Sequence, residues 1–206
     1  MAYIISVHVP IAGSSLIPIL FGWPIILYPV HIVFLELIID PACSVVFESE
    51  PAEKNIMNRK PRDPKESLFG KKMLILSLLQ GLFSLIAVMV VFKMALRFEQ
   101  TETGARTLAF ITLIVSNICL ILTNRSWSRT MLSSFSVSNK ALISVIAGAV
   151  IFLSAVLYTP FLQRLFHFGS IHAADILMCL AAGILSVVWF EFLKFIFNKI
   201  GVDLMR

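Results

Sequence analysis

The sequence predicts an all-α fold, a polytopic membrane helix bundle with six transmembrane helices. Three observations carry that expectation. Of the 206 residues, 58% are hydrophobic and 14% are charged, against about 45–50% and about 25% in ordinary soluble domains. The apolar residues gather into runs close to the roughly 20 residues that a helix needs to cross the hydrocarbon core. The basic residues sit between those runs, so the net charge of +5 reads as membrane topology and not as a nucleic-acid surface.

The first run, 3–21, starts almost at the first residue without a basic flank or a small-residue cleavage site, and is read as a retained helix and not a signal peptide. Pro10 and Pro18 are expected to interrupt it, because each proline removes a backbone donor and frees a carbonyl one turn earlier. Gly22-Trp23-Pro24 leaves room for a tight hairpin into the second run, 25–47, which Pro41 interrupts in turn. The remaining runs are 73–95, 107–123, 141–158 and 176–197. The polar loop 48–72 carries Pro51, Pro61 and Pro64, which forbid one continuous helix. It is either a solvated loop obeying the charge rule or a docking surface for a cytoplasmic partner, with Arg59, Pro61, Arg62 and Pro64 at its centre.

Thirteen of the 17 basic residues fall in the 48–72 loop, the fourth-to-fifth connection and the C-terminal end. Retention of basic loops in the cytoplasm then puts both termini inside. The three cysteines, Cys43, Cys119 and Cys179, fit neither a disulfide framework nor a zinc site and read as small apolar fillers. The segment from Trp189 to Lys194, "WFEFLK", reads as an interfacial anchor.

Ionisable residues at bilayer depth are costly and by default face the protein interior. Glu36 and Asp40 are four residues apart, on one helical face. His8 lies fourteen residues before Gly22 and Glu36 fourteen after it, so an antiparallel hairpin puts imidazole and carboxylate at one depth. Loosened helices with freed carbonyls beside carboxylates are how transporters build ion sites; a buried His–Glu pair locking the hairpin is the alternative. His31 is placed at the outer interface. Ser116 and Asn117 are expected in the bundle interior, where a lone Asn serves either as a helix–helix hydrogen bond or as a ligand.

The stretch "PVHIVFLELIIDPACSVVFESEPAEKNIMNRKPRDPKESL", residues 29–68, resembles the sixth-helix region and following loop of cation-transporting P-type ATPases, in the calcium-pump-like branch and its bacterial relatives. The likeness extends more weakly over the whole chain. It implies the C-terminal membrane region of such a pump, its six spans corresponding to the family's last six helices, in a bacterial plasma membrane. In that family an aspartyl phosphate formed in a cytoplasmic domain drives alternating access at a midmembrane cation site, so Mg and ATP are implied for the full-length pump and no cofactor for this chain. The 206 residues contain neither the "DKTGT" nor the "TGE" motif, and the chain is expected not to hydrolyse ATP by itself. It is expected to be a pump fragment or a separate membrane subunit whose partners are the pump's N-terminal and cytoplasmic domains, the bilayer and the cation. A motor-free membrane module that binds a protein through the 48–72 loop is the other reading.

The resemblance transfers the site residue by residue. Asp40 matches the sixth-helix aspartate that calcium pumps use to bind ions. Glu36 falls where calcium pumps commonly have Asn, and Ile39 replaces a neighbouring hydroxyl residue. His8 falls at an Asn ligand of the fifth helix and Ile11 at its usual glutamate, while Asn117 aligns with the eighth-helix glutamate. Calcium takes six to eight oxygens. Imidazole with carboxylates suits a proton or a transition-metal ion better, and the ion itself stays open.

Overall fold

The computed structural model describes residues 2–36, 40–51, 70–98, 100–126 and 139–200. Eight helices lie within them: α1 (Ala2–Leu20), α2 (Pro29–Phe34), α3 (Asp40–Glu48), α4 (Lys71–Arg97), α5 (Glu102–Asn124), α6 (Lys140–Tyr158), α7 (Pro160–Leu165) and α8 (Ala173–Ile200). Five of these, α1, α4, α5, α6 and α8, are long and apolar enough to cross a membrane. The protein is a multi-pass helical bundle.

The sixth expected span is not one helix among the described residues. Its N-terminal part stays non-helical from residue 21 to 28, with Gly22 left-handed at φ 63°, a conformation that suits a residue without Cβ. The tight hairpin expected at residues 22–24 is therefore an eight-residue connection. Helix begins at Pro29, whose fixed φ and missing N–H suit a first helical position. It widens into a π turn at residues 35 and 36, a common accompaniment of functional sites. Residues 37–39 lie outside the description, and helix is present again from Asp40 to Glu48.

Pro10 and Pro18 do not interrupt α1, which runs through both. Pro10 denies the Ser6 carbonyl its usual donor, yet that oxygen is covered. A Cβ built on Gly81 of α4 would lie 2.7 Å from it and 2.6 Å from Val9 Cβ. Glycine thus lets the α4 backbone come up against the freed carbonyl, and neighbouring helices of this kind are what make proline tolerable in membrane helices.

Helix α1 packs on α4, α4 on α5 and α8, and α5 on α8, while α6 packs on α3 and α7. At the centre stands α5, 94% of whose most apolar stretch is buried, against 17% for α6. Side-chain caps start two of these helices: Thr101 Oγ1 accepts from Gly104 N–H at 3.1 Å, and Asn139 Oδ1 from Leu142 N–H at 3.0 Å. All three cysteines are buried, as fillers should be.

Two residues assigned to interfaces are interior. His31 is fully buried, stacked on Phe168 at 5.0 Å and flanked by Phe110 and Phe166. Its Nδ1 accepts from Tyr28 N–H at 2.9 Å, so Nε2 carries the proton donated to Phe166 O at 2.7 Å. Beside it, buried Arg106 donates to the carbonyls of Ile25 and His167, both at 3.0 Å, and lies over the Tyr28 ring. Together they join the 21–28 connection to the loop after α7. At the opposite end Lys194 is 1% exposed. Its Nζ donates to the carbonyls of Thr123 and Ser126 and to Glu191 Oε1. It caps the C-terminus of α5, where a cation complements the helix dipole. An aliphatic stem can reach inward as well as outward, which hydropathy does not distinguish.

Candidate functional site

The hairpin does bring His8 and Glu36 together: Nε2 of one is 3.4 Å from Oε2 of the other. His8 sits mid-way along α1 and Glu36 in the π turn at residues 35 and 36 that follows α2. His8 Nδ1 is 2.7 Å from the carbonyl of Ile4. A carbonyl can only accept, so Nδ1 is the protonated nitrogen. Nε2 then faces a carboxylate oxygen, and two acceptors at that distance need a cation between them. A proton on Nε2, a proton on Glu36 or a bound cation would each serve.

The pair lies at the edge of the bundle and not at its polar centre as expected. The side chains of His8 and Glu36 are 48% and 38% exposed. The backbone of Asp40 opens α3; its side chain lies outside the described residues, as do Arg59, Pro61, Arg62 and Pro64. Pro41 falls in the first turn of α3, where proline fits a helix start; residues 37–39, where unwinding was expected, are not described. Among the described residues no cluster of three or more His, Cys, Asp or Glu side chains is arranged to hold a metal.

Asn117 is buried at 1% exposure, and neither of its side-chain atoms has a hydrogen-bond partner among the described residues. It therefore is not a helix–helix hydrogen bond of the ordinary kind. It lies seven residues from Asn124, which puts the two on one face of α5. Asn124 Nδ2 donates to Gln80 Oε1 at 3.0 Å, and the same oxygen accepts from Ser6 Oγ at 2.9 Å. The described polar centre is thus Ser6, Gln80 and Asn124, joining α1, α4 and α5. Sequence reasoning passed over Gln80. Its signal was a run of polar residues, Ser77, Gln80 and Ser84, at near-heptad spacing along one face of an otherwise apolar helix.

The same end of the bundle carries a second polar tie. Arg125 Nε and Nη2 donate to Glu50 Oε2 and Oε1 at 2.8 and 3.1 Å, a bidentate geometry that planar guanidinium favours. Asn139 Nδ2 donates to Glu50 Oε2 and to Val46 O, both at 3.0 Å. The C-terminus of α3, the end of α5 and the start of α6 are thereby held together.

Residues 24–196 match the family described as "Cation transporting ATPase, C-terminus". Among relatives, the chain is 27% identical to the calcium-transporting ATPase of Bacillus subtilis (strain 168) over 177 residues, 84% of this chain and 19% of that protein. It is 25% identical to calcium-transporting ATPase 1 of Bacillus cereus over 192 residues, 85% of this chain and 22% of that protein. It is 24% identical to the human calcium-transporting ATPase type 2C member 1 over 172 residues, 82% of this chain and 19% of that protein. The chain spans about a fifth of the length of these relatives. A multi-pass helical bundle of which residues 24–196 match this family belongs to it, and the chain is a member of the cation-transporting ATPase C-terminal family.

Proposed function

We propose that this chain supplies the second half of the membrane domain of a P-type cation pump and contributes Asp40, Glu36, His8 and Asn117 to its midmembrane cation pathway. The observation that carries this reading is the His8–Glu36 pair, 3.4 Å apart on an exposed face at a π turn. Ionisable groups at that depth do not face hydrocarbon, so the pair requires cover. A parent protein about five times longer has helices to provide it. Irregular backbone at midmembrane, which frees carbonyls, is the usual setting for ion coordination. ATP hydrolysis and Mg binding belong to the pump's cytoplasmic domains, and the donor set favours a proton or a transition-metal ion over calcium. In this reading both chain termini and the polar end at Glu50, Arg125 and Lys194 face the cytoplasm of a bacterium whose plasma membrane holds the pump.

The test is made in the full-length pump carrying this segment. Asp40→Asn is expected to abolish ion-dependent phosphorylation, and Glu36→Gln to weaken it or shift its pH profile. His8→Ala should lower metal dependence if the ion is a transition metal and alter only the pH profile if it is a proton. Unchanged transport in Asp40→Asn would overturn the assignment.

A further inference from the structure

Successive elements of a fold are usually neighbours in space, but α6 and α8, successive among the long helices, do not pack along one another. Helix α8 packs on α5 and α4, whereas α6 packs on α3 and α7 and touches α5 only slightly. Both turn most of their apolar surface outward: only 17% of the most apolar stretch of α6 and 28% of that of α8 is buried. At the end of the bundle away from Lys194, where α6 stops and α8 starts, the space between them holds a cavity of about 260 Å³. Leu157 and Tyr158 of α6, Gln163 of α7, Ser170 and Ile171 of the following loop and Ile176 of α8 line it.

Two kinds of chemistry meet there. Leu157, Ile171 and Ile176 bring hydrocarbon. Gln163 donates its Nε2–H to the Leu157 carbonyl, one of those that a helix end leaves free, and its Oε1 has no partner among the described residues. The next residue, Arg164, is exposed and pairs with no carboxylate among the described residues. Asp175, at the start of α8, is already engaged: it accepts from His172 N–H at 2.8 Å and lies 3.6 Å from the His172 ring. The rim therefore carries a guanidinium without a counter-charge, a group whose planar fork suits phosphate. Tyr158 and Phe161, 80% and 72% exposed, stand at the same end, as aromatic residues do where bilayer meets water.

These features select the occupant. The cavity is smaller than the roughly 300–1,000 Å³ that encloses a whole drug-sized ligand, so it seats part of a molecule whose remainder lies along the helices. Toward midmembrane the helices offer exposed hydrocarbon: Ile151 of α6, about 10.5 Å along the helix from Tyr158, and Leu177 and Ile184 of α8. A free anion would meet Arg164 and leave that surface bare. An apolar molecule would cover the surface and leave the guanidinium unmet. A phospholipid meets both at once. We propose that the space between α6 and α8 is a binding site for one phospholipid, its phosphate on Arg164, its glycerol region in the cavity and its acyl chains between the two helices. The inference goes beyond the proposed pump function and stands without it.

The test is native mass spectrometry of the 206-residue chain, delipidated in detergent and titrated with dioleoylphosphatidylglycerol. A single lipid is expected to bind ahead of all others. Ile176→Trp, which puts an indole into the cavity, and Arg164→Gln should each weaken that first step several-fold. Arg97→Gln removes another exposed basic residue, in the last turn of α4, and should leave the first step unchanged. Circular dichroism checks that each variant is folded. If the tryptophan variant is not, Ala173→Leu, at another lining position, is read in its place, with a several-fold loss again expected. First-step binding unchanged in the folded cavity variant or in Arg164→Gln overturns the site, as does an equal loss in Arg97→Gln. Glycerol 3-phosphate, a phosphate without chains, should fail to displace the lipid; displacement would make this a soluble-anion site and overturn the lipid. A chain dimer that excludes added lipid would give the space to a second copy and overturn it too.

Discussion

Replacing Lys194 by methionine keeps an unbranched stem of similar length and removes the ammonium that closes α5. In the native chain that group is 1% exposed and donates to two carbonyls and to Glu191 Oε1, the last at 3.2 Å. Removing one partner of a fully buried ion pair costs about 3–5 kcal/mol. That figure is an upper bound here, because the Glu191 side chain is 18% exposed and keeps the bond it accepts from Thr123 Oγ1 at 2.7 Å. Hydrogen bonds to charged groups contribute about 1.5–3 kcal/mol, and Lys194→Met is expected to destabilise the bundle by about 2–3 kcal/mol on that scale. The assay is reversible unfolding in mixed micelles by SDS titration, followed by the fluorescence of Trp189, which packs against Phe83 at 4.8 Å and so reports α8 leaving α4. Glu191→Gln in the same background should recover part of the loss, because it removes the carboxylate left without its cation. The coupling between the two sites should fall in the 0.5–3 kcal/mol range typical of contacting residues. A Lys194→Met chain within about 0.5 kcal/mol of native stability, the range of inert surface changes, would refute the cap.

Three further outcomes follow from named contacts. Gly81→Val should cost about 1–3 kcal/mol by overpacking, since its Cβ would fall 2.6 Å from Val9 Cβ; the same SDS titration checks it, and an unchanged midpoint would contradict the close approach of α1 and α4. His31→Phe keeps an aromatic ring among Phe110, Phe166 and Phe168 but leaves Phe166 O and Tyr28 N–H unmet, for a loss of about 1–3 kcal/mol per orphaned group, measured likewise. Reporters fused after Arg206 and within residues 58–64 should read cytoplasmic and one within residues 100–103 external; an external signal from 58–64 would overturn the six-crossing topology.

Hydropathy located five helices well because burial in lipid and burial in protein demand the same apolar composition. For that reason it could not tell which faces meet lipid: α5 is the less apolar of α5 and α6, yet it is the enclosed one and α6 is peripheral. Proline rules overstated the interruptions in α1, which runs through both Pro10 and Pro18; the one expected before Pro41 falls on residues outside the description. Whether a freed carbonyl ends a helix depends on what lies beside it, and for Ser6 that neighbour is Gly81, in another helix 75 residues away in sequence. The level of His8 with Glu36 was readable because counting from a turn needs no side-chain information. Its position at the edge was not, since that depends on which face of α1 meets α4. Gln80 was missed for a related reason. One amide in an apolar run is inconspicuous until Ser6 and Asn124, from two other helices, are seen to share its oxygen.

The enclosure of α5 bears on the order in which the chain is made. This helix carries Thr112, Ser116, Asn117, Thr123 and Asn124 on buried positions, so on leaving the insertion machinery it would expose more polar surface to lipid than its neighbours do. Two of its partners, α1 and α4, precede it in sequence and can receive Asn124 at Gln80 as soon as it emerges. The third, α8, is synthesised some fifty residues later, and until then the carbonyls of Thr123 and Ser126 wait without Lys194. Assembly of this domain therefore has a late step, in which the last helix seals the end of a helix already seated between two others. A chain stopped before α8 would hold its central helix in place on one side and leave its terminus open on the other, the kind of intermediate that membrane quality control recognises.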